Sequence, residues 1–197
     1  MRHDLDAVLE QIWAMLARGV KRRHDPFRTA VLGTVRGTAC RQRTVILRHV
    51  DRPSRLLTCH GDARSDKVTE INTVPRTAWL FYHPRRRTQV RITGDSTVHT
   101  DDEIAHREWA STTSRNRREY VCEPPGTARQ RPAPARPKAV LACRLTPAET
   151  ECARRNFAAI RTRVESIDWL KLGLTGHLRA RFTWDADGHV RSTWLAP

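Results

Sequence analysis

Apolar residues recur at three- and four-residue spacing near the start of the chain, where Leu5, Val8, Leu9, Ile12, Trp13 and Leu16 share one face of a helix over positions 4–19. Asp4 is a ready N-cap and Gly19 a ready stop, and Asp25-Pro26 then breaks the chain. From Phe27 the texture turns to β. Thr29–Val35, Thr44–Arg48 and Arg55–Cys59 each read as a strand, separated by the turns Arg36-Gly37-Thr38 and Asp51-Arg52-Pro53-Ser54. A helix capped by Ser65 follows, with Val68 and Ile71 on its inner face, and Pro75 ends it. Thr77–Tyr82 and Thr88–Thr93 are the next strands, the second resuming after Gly94-Asp95. Thr100-Asp101-Asp102-Glu103 supplies a cap and first-turn acids to a helix reaching Ser111.

Residues 122–138 are rich in proline and have no apolar period, so they are expected as a surface loop or lid. They do not mark a domain boundary, because strand texture returns beyond them. Thr146-Pro147 starts a short helix, and strands are expected at 157–163, 165–172, 178–184 and 191–195. The chain therefore divides into an N-terminal helix, 1–24, and one domain, 25–197. Six to eight short, mostly antiparallel strands with peripheral helices make an α+β fold whose sheet closes into a β-barrel to remove its edges.

At 197 residues the chain is long enough for one such domain with a sizeable core. No stretch approaches the roughly 18 apolar residues needed to cross a bilayer. Met1-Arg2-His3-Asp4-Leu5 has no apolar run behind its basic start, which argues against a secretory signal. Five cysteines without a CxxC pair argue against a zinc site and a disulfide framework, so a reducing, cytoplasmic setting is expected, with Cys40 and Cys59 packed as small hydrophobes. The net charge of +15 raises the question of nucleic acid. The basic set is 32 Arg against 4 Lys, spread along the chain, and aromatics are only 6%. A nucleic-acid binder would cluster these groups on one surface. The excess reads instead as an arginine-biased background with local anion sites, and neither membrane nor nucleic acid is the expected partner.

Four segments carry candidate chemistry. In Arg43-Thr44-Val45-Ile46-Leu47-Arg48, alternation sends Arg43, Val45 and Leu47 one way and Thr44, Ile46 and Arg48 the other. A basic group at each end can then face an anion while the backbone between them meets a planar ligand. In His60-Gly61-Asp62-Ala63-Arg64-Ser65-Asp66-Lys67, a hydroxyl, an ammonium and backbone N–H groups converge where a helix begins, a ready phosphate site. Gln89, on the strand Thr88–Thr93, carries an amide able to read a heterocycle edge. In the tail, His177, Arg179 and Arg181 alternate onto one strand face, opposite Leu178, Ala180 and Phe182.

In this order and spacing the four segments resemble the pyridoxamine 5′-phosphate oxidase family of FMN-binding split β-barrels, over residues from about 25 to the C-terminus. The resemblance implies a homodimer with FMN at the subunit interface. Arg43, Ser65 and Lys67 would hold the FMN phosphate, and the backbone of Thr44, Val45 and Ile46 would run along the isoalloxazine ring. His60 and Gly61 would line the flavin, Gln89 would hydrogen-bond its edge, and Arg181 would contact it from the other side. Arg48, His177 and Arg179 would meet a small-molecule substrate, and the stretch from Trp109 to Tyr120, with Arg117, would close over the cofactor. The family's usual Arg-x-His before the final arginine stands here as His177-Leu178-Arg179, the same residue types in swapped order. The expected activity is an FMN-dependent oxidoreductase in which the cofactor carries the chemistry. No catalytic side chain and no metal ligand set is nominated. The alternatives are a split-barrel protein that carries flavin or haem without turnover and, ranked last, a basic nucleic-acid binder.

Overall fold

Alternation of buried and exposed positions builds the sheet. Strand β4 (Arg76–His83) buries every second residue, with Thr77, Trp79, Phe81 and His83 inside and Arg76, Ala78, Leu80 and Tyr82 outside. The computed structural model describes residues 4–130 and 146–197. Its other strands are β1 (Thr29–Arg36), β2 (Ala39–Asp51), β3 (Leu56–Asp62), β5 (Thr88–His99), β6 (Phe157–Lys171), β7 (Leu178–Trp184) and β8 (Val190–Leu195). They lie in the order β3-β2-β1-β4-β5-β6-β7-β8, and every pairing is antiparallel. A further β3–β6 pairing, Leu56↔Arg163 to Asp62↔Phe157, closes six strands into a barrel and leaves β7 and β8 as an extension.

The interior is filled by Leu32, Leu47, Trp79, Phe81, Ile92 and Ile160 among others. Helix α1 (Leu5–Lys21) lays Val8, Ile12, Trp13 and Leu16 on that core, with Asp4 accepting a capping hydrogen bond from the Asp6 N–H. The helix does not stop at Gly19. That residue lies inside it, where a Cβ would come within 2.6 Å of the Phe27 carbonyl carbon, so the glycine marks a close crossing of backbones. Helix α2 (Asp66–Thr73) sits behind Ser65 as expected. Helices α3 (Glu103–Ser111), α4 (Ser114–Arg117) and α5 (Pro147–Glu151) lie outside the barrel. Around Trp109, Tyr120 and Phe157 a second, smaller apolar cluster forms.

Two strand expectations need correction. The segments 157–163 and 165–172 are one strand, β6, not two. Its partner register shifts between Thr93↔Ser166 and Gly94↔Val164, so Glu165 is the extra residue of a bulge, and the apparent break in the pattern is that bulge. Strand β2 is also far longer than Thr44–Arg48. Cys59 is buried as expected, but Cys40 is exposed, because it lies at the end of the β1–β2 hairpin, where residues 36–42 are all exposed. The loop expected at 122–138 is described as far as residue 130; 131–138 lie outside the described residues, as does Cys143. None of the described helices is long and apolar enough to cross a membrane.

Candidate functional site

The first part of the site is built where β3 runs into α2. Ser65 holds the N-cap position, yet its hydroxyl makes no cap hydrogen bond; it donates to the Asp62 carbonyl at 2.6 Å and accepts from Lys67 Nζ at 2.8 Å. Lys67 lies over Gly61, where a Cβ would sit 2.7 Å from Lys67 Cε and 3.1 Å from Nζ. A side chain at this position would push the lysine aside. Burial pulls the Lys67 pKa below its ordinary value, and the Arg43 charge acts the same way. Lys67 and Gly61 line a cavity of about 560 Å³ together with Tyr120, Cys122 and the Pro124-Pro125-Gly126 turn. Arg64 holds Asp62 through two hydrogen bonds, at 2.9 and 2.7 Å, and donates to the Cys122 carbonyl at 3.0 Å, which ties the proline-rich segment over the cavity.

Arg43 takes a different place from the one its spacing suggested. With Val45 and Leu47 it points into the barrel, and its guanidinium pairs with the buried Glu70 at 2.7 Å and with Thr34 Oγ1. Thr34 in turn donates to Glu70 at 2.5 Å. Burial pushes the Glu70 carboxyl up, but the Thr34 and Arg43 hydrogen bonds outweigh it and hold the pKa below the ordinary carboxylate value. Arg43 is therefore an internal counter-ion, close enough to Lys67 for their charges to interact yet with no hydrogen bond to Ser65.

A second cavity, of about 280 Å³, is lined by Arg28, Arg48, His60, Glu108 and Asn116 among others. His60 packs edge-on against Phe157 and meets Glu108 through Nε2 at 3.0 Å; that hydrogen bond keeps the Glu108 pKa low against the opposing effect of burial. The Arg48 Nε is buried and has no hydrogen-bond partner. Arg48 lines the cavity, and a guanidinium with an orphaned N–H can serve an anion bound there. Arg117, by contrast, is spent on structure: it donates to the Thr112 and Trp109 carbonyls at 3.0 and 2.8 Å and stacks over the Trp109 ring.

The third part lies on the outer face of the sheet. Gln89 is half-buried on β5, and Arg179 and Arg181 project from β7. His177 does not share their face, because β7 begins at Leu178; the histidine sits in the preceding turn and accepts from the Gly173 N–H at 3.3 Å. The two arginines converge on Asp168 of β6, at 2.9 and 3.4 Å, joined by Arg91 of β5 at 3.0 Å. Asp168, Arg91 and Arg181 border a groove of about 640 Å³ floored by Val31, Gly33, Ala78 and Leu80. Within one chain, then, the expected site residues fall into three places: Ser65, Lys67 and Gly61; Arg48 and His60; Arg179 and Arg181.

Glu70, Glu108, Arg91 and Asp168 were not foreseen. Each is an ordinary charged residue in sequence; helix packing brings Glu70 of α2 and Glu108 of α3 to their partners, and strand register brings Arg91 to Asp168. Among the described residues one group could ligate a metal, Asp185, Asp187 and His189, and it occupies the turn between β7 and β8 outside these cavities.

The residues suit a flavin mononucleotide. The Lys67 ammonium in its glycine cradle answers a phosphate, and the unsatisfied Arg48 N–H answers a further anionic group. In sequence, residues 10–100 match the pyridoxamine 5′-phosphate oxidase FMN-binding domain. No curated protein matches the chain. In structure it is similar to a pyridoxamine 5′-phosphate oxidase-related, FMN-binding protein from Nostoc punctiforme, with 22% identity, a TM-score of 0.77 and coverage of 95% of this chain and 96% of that one. It is also similar to PhzG from Burkholderia lata, solved with tetrahydrophenazine-1-carboxylic acid, with 15% identity, a TM-score of 0.69 and coverage of 98% and 92%. A Clostridium acetobutylicum protein related to general stress protein 26 aligns at 8% identity and a TM-score of 0.56, over 90% of this chain and 95% of that one. Residues 10–100 thus carry the match to the pyridoxamine 5′-phosphate oxidase FMN-binding domain, and the closed six-stranded barrel with its two added strands has the fold of the FMN-binding split barrels.

Proposed function

We propose that the protein is an FMN-dependent oxidoreductase acting on a small anionic molecule, and that it works as a homodimer with FMN between subunits. The observation that carries the substrate reading is Arg48, which lines a cavity of about 280 Å³ and whose buried Nε has no hydrogen-bond partner. Bound FMN supplies hydride acceptance; the chain supplies binding, orientation and charge. Lys67 would neutralise the phosphate, aided by Ser65. Arg48 would fix the anionic group of the substrate, and Arg181 would set positive charge against the ring. The dimer reading is supported by the separation of these groups within one chain, since Lys67 and Arg181 line different cavities. It is supported too by the outer face of β4, where Leu80 and Tyr82 are exposed beside Ala78.

The test is anaerobic mixing of the FMN-loaded protein with NADH, NADPH and pyridoxamine phosphate in turn. Bleaching of the visible flavin band by one of them, and its loss in Arg48→Ala, is the expected result. A flavin that stays oxidised with every donor would leave a carrier without turnover.

A further inference from the structure

Asp168 is 8% exposed, yet it is surrounded by cations from three strands: Arg91 on β5 at 3.0 Å, and Arg179 and Arg181 on β7 at 2.9 and 3.4 Å. The register makes this unavoidable. Asp168 stands opposite Arg91 on one side and Arg181 on the other, and Arg179 is opposite its neighbour on the same face, Leu170. Arg179 grips the carboxylate with Nε at 3.1 Å and Nη2 at 2.9 Å, a bidentate pair, whereas Arg181 touches it only at the edge. Arg91 and Arg181 remain about half exposed, with side-chain accessibilities of 50% and 48%, and both border the groove on the outer face of the sheet.

Three guanidiniums on one carboxylate leave the cluster with a surplus of two positive charges at the groove wall. Like charges this close repel, and the half-exposed ones would move into water unless an anion held them. Burial pushes the Asp168 carboxyl up, but the Arg179 hydrogen bond and the Arg91 and Arg179 charges prevail and keep it ionised.

We propose that Asp168 is a positioning residue for the flavin: it gathers Arg91, Arg179 and Arg181 and holds Arg181 against the ring as a preoriented positive charge. This rests on the reading that Arg181 meets the flavin. A positive neighbour stabilises reduced FMN and raises its midpoint potential. The two roles open to Asp168 then predict opposite signs. As a mere negative neighbour of the ring, its removal would raise the potential. If instead it holds Arg181 in place, its removal scatters the guanidiniums and lowers the potential, despite the loss of a negative charge.

The experiment is spectroelectrochemical titration of the FMN-loaded wild type, Asp168→Ala, Arg181→Ala and the double variant. Both single variants are expected to shift the potential downward, and the double variant no further than the larger single shift, because one removes what the other positions. Asp168→Glu, which keeps the charge, should restore most of the wild-type value. Should Asp168→Ala fail to fold, Asp168→Asn replaces it, retaining the shape while losing the charge. An upward shift, no shift, or additive shifts in the double variant would overturn the proposal. A potential unmoved in Arg181→Ala would instead remove the placement of Arg181 beside the flavin, and the proposal with it.

Discussion

Lys67 and Arg43 carry the same formal charge and stand near one another, but their surroundings give them different tasks. Lys67 makes one side-chain hydrogen bond, to the Ser65 hydroxyl, and lines a cavity; Arg43 is consumed by Glu70 and Thr34. Lys67→Ala should therefore weaken FMN binding by about tenfold to a hundredfold, the loss of one charge-assisted partner worth roughly 1.5–3 kcal/mol. Its thermal stability should hardly change. Arg43→Ala should act chiefly on the fold, costing roughly 3 kcal/mol because Glu70, 4% exposed, loses its counter-ion. Replacing the pair together, as Arg43→Met with Glu70→Leu, should recover most of that loss. Fluorescence titration of FMN alongside chemical denaturation separates the two effects; equal losses of affinity in both single variants with unchanged stability would refute the division. Gly61→Ala belongs with Lys67, since its methyl would displace the lysine side chain, and it should weaken FMN binding without loss of charge.

At the level of elements, β5 and β6 meet most closely at Gly94, where a Cβ would fall 1.9 Å from the Arg163 carbonyl oxygen. Gly94→Ala cannot be relieved by a side-chain rotation, so the bulge must open, and the cost should exceed the roughly 1–3 kcal/mol of ordinary overpacking. A melting temperature equal to wild type would contradict this account. The elements are also joined by ionised carboxylates: Glu70 binds α2 to the barrel, Asp25 binds the 3₁₀ turn at Pro26 to Arg18 of α1, and Asp168 binds β6 to β5 and β7. All three have pKa values lowered in the folded state. The unfolded chain thus binds protons more readily, so their stabilisation is complete above the ordinary carboxylate range near 4 and is lost as pH falls through the lower folded values. Melting temperatures should be level near neutrality and decline below about pH 4, and the decline should be shallower in the Arg43→Met, Glu70→Leu variant. Much of this architecture was legible in sequence. Period-two burial located the strands and Ser65 the start of α2, because both signals are local. Gly19 and Glu165 misled for the opposite reason: a glycine tolerated for a backbone crossing looks like a stop, and a bulge looks like a gap between strands. The cluster of Gly61, Ser65 and Lys67 could be picked out from its spacing in the chain, whereas Asp168 could not, since nothing local distinguishes it until register sets three arginines around it.

For the molecule as a whole, Arg18, Arg43, Arg52, Arg64, Arg76 and Arg179 are each paired to an acid, but 36 Lys+Arg against 21 Asp+Glu still leave a surplus of +15 that pairing cannot absorb. That surplus is spread along the chain and singles out no one surface, whereas the uncovered apolar face is local. On that face Leu80 and Tyr82 are 37% and 47% exposed, next to the groove that Arg181 borders. A flavin held by Lys67 of one copy could be reached by Arg181 only from a second copy if the two cavities face each other across this surface. Leu80→Asp places an unpaired charge at the centre of such an interface and touches none of the phosphate-binding groups. The variant should run as a monomer by light scattering, keep its wild-type circular dichroism, and lose most of its FMN affinity although Lys67 is intact. Affinity retained in a monomeric variant, or a wild type that is monomeric while fully loaded with FMN, would show that one chain completes the site alone.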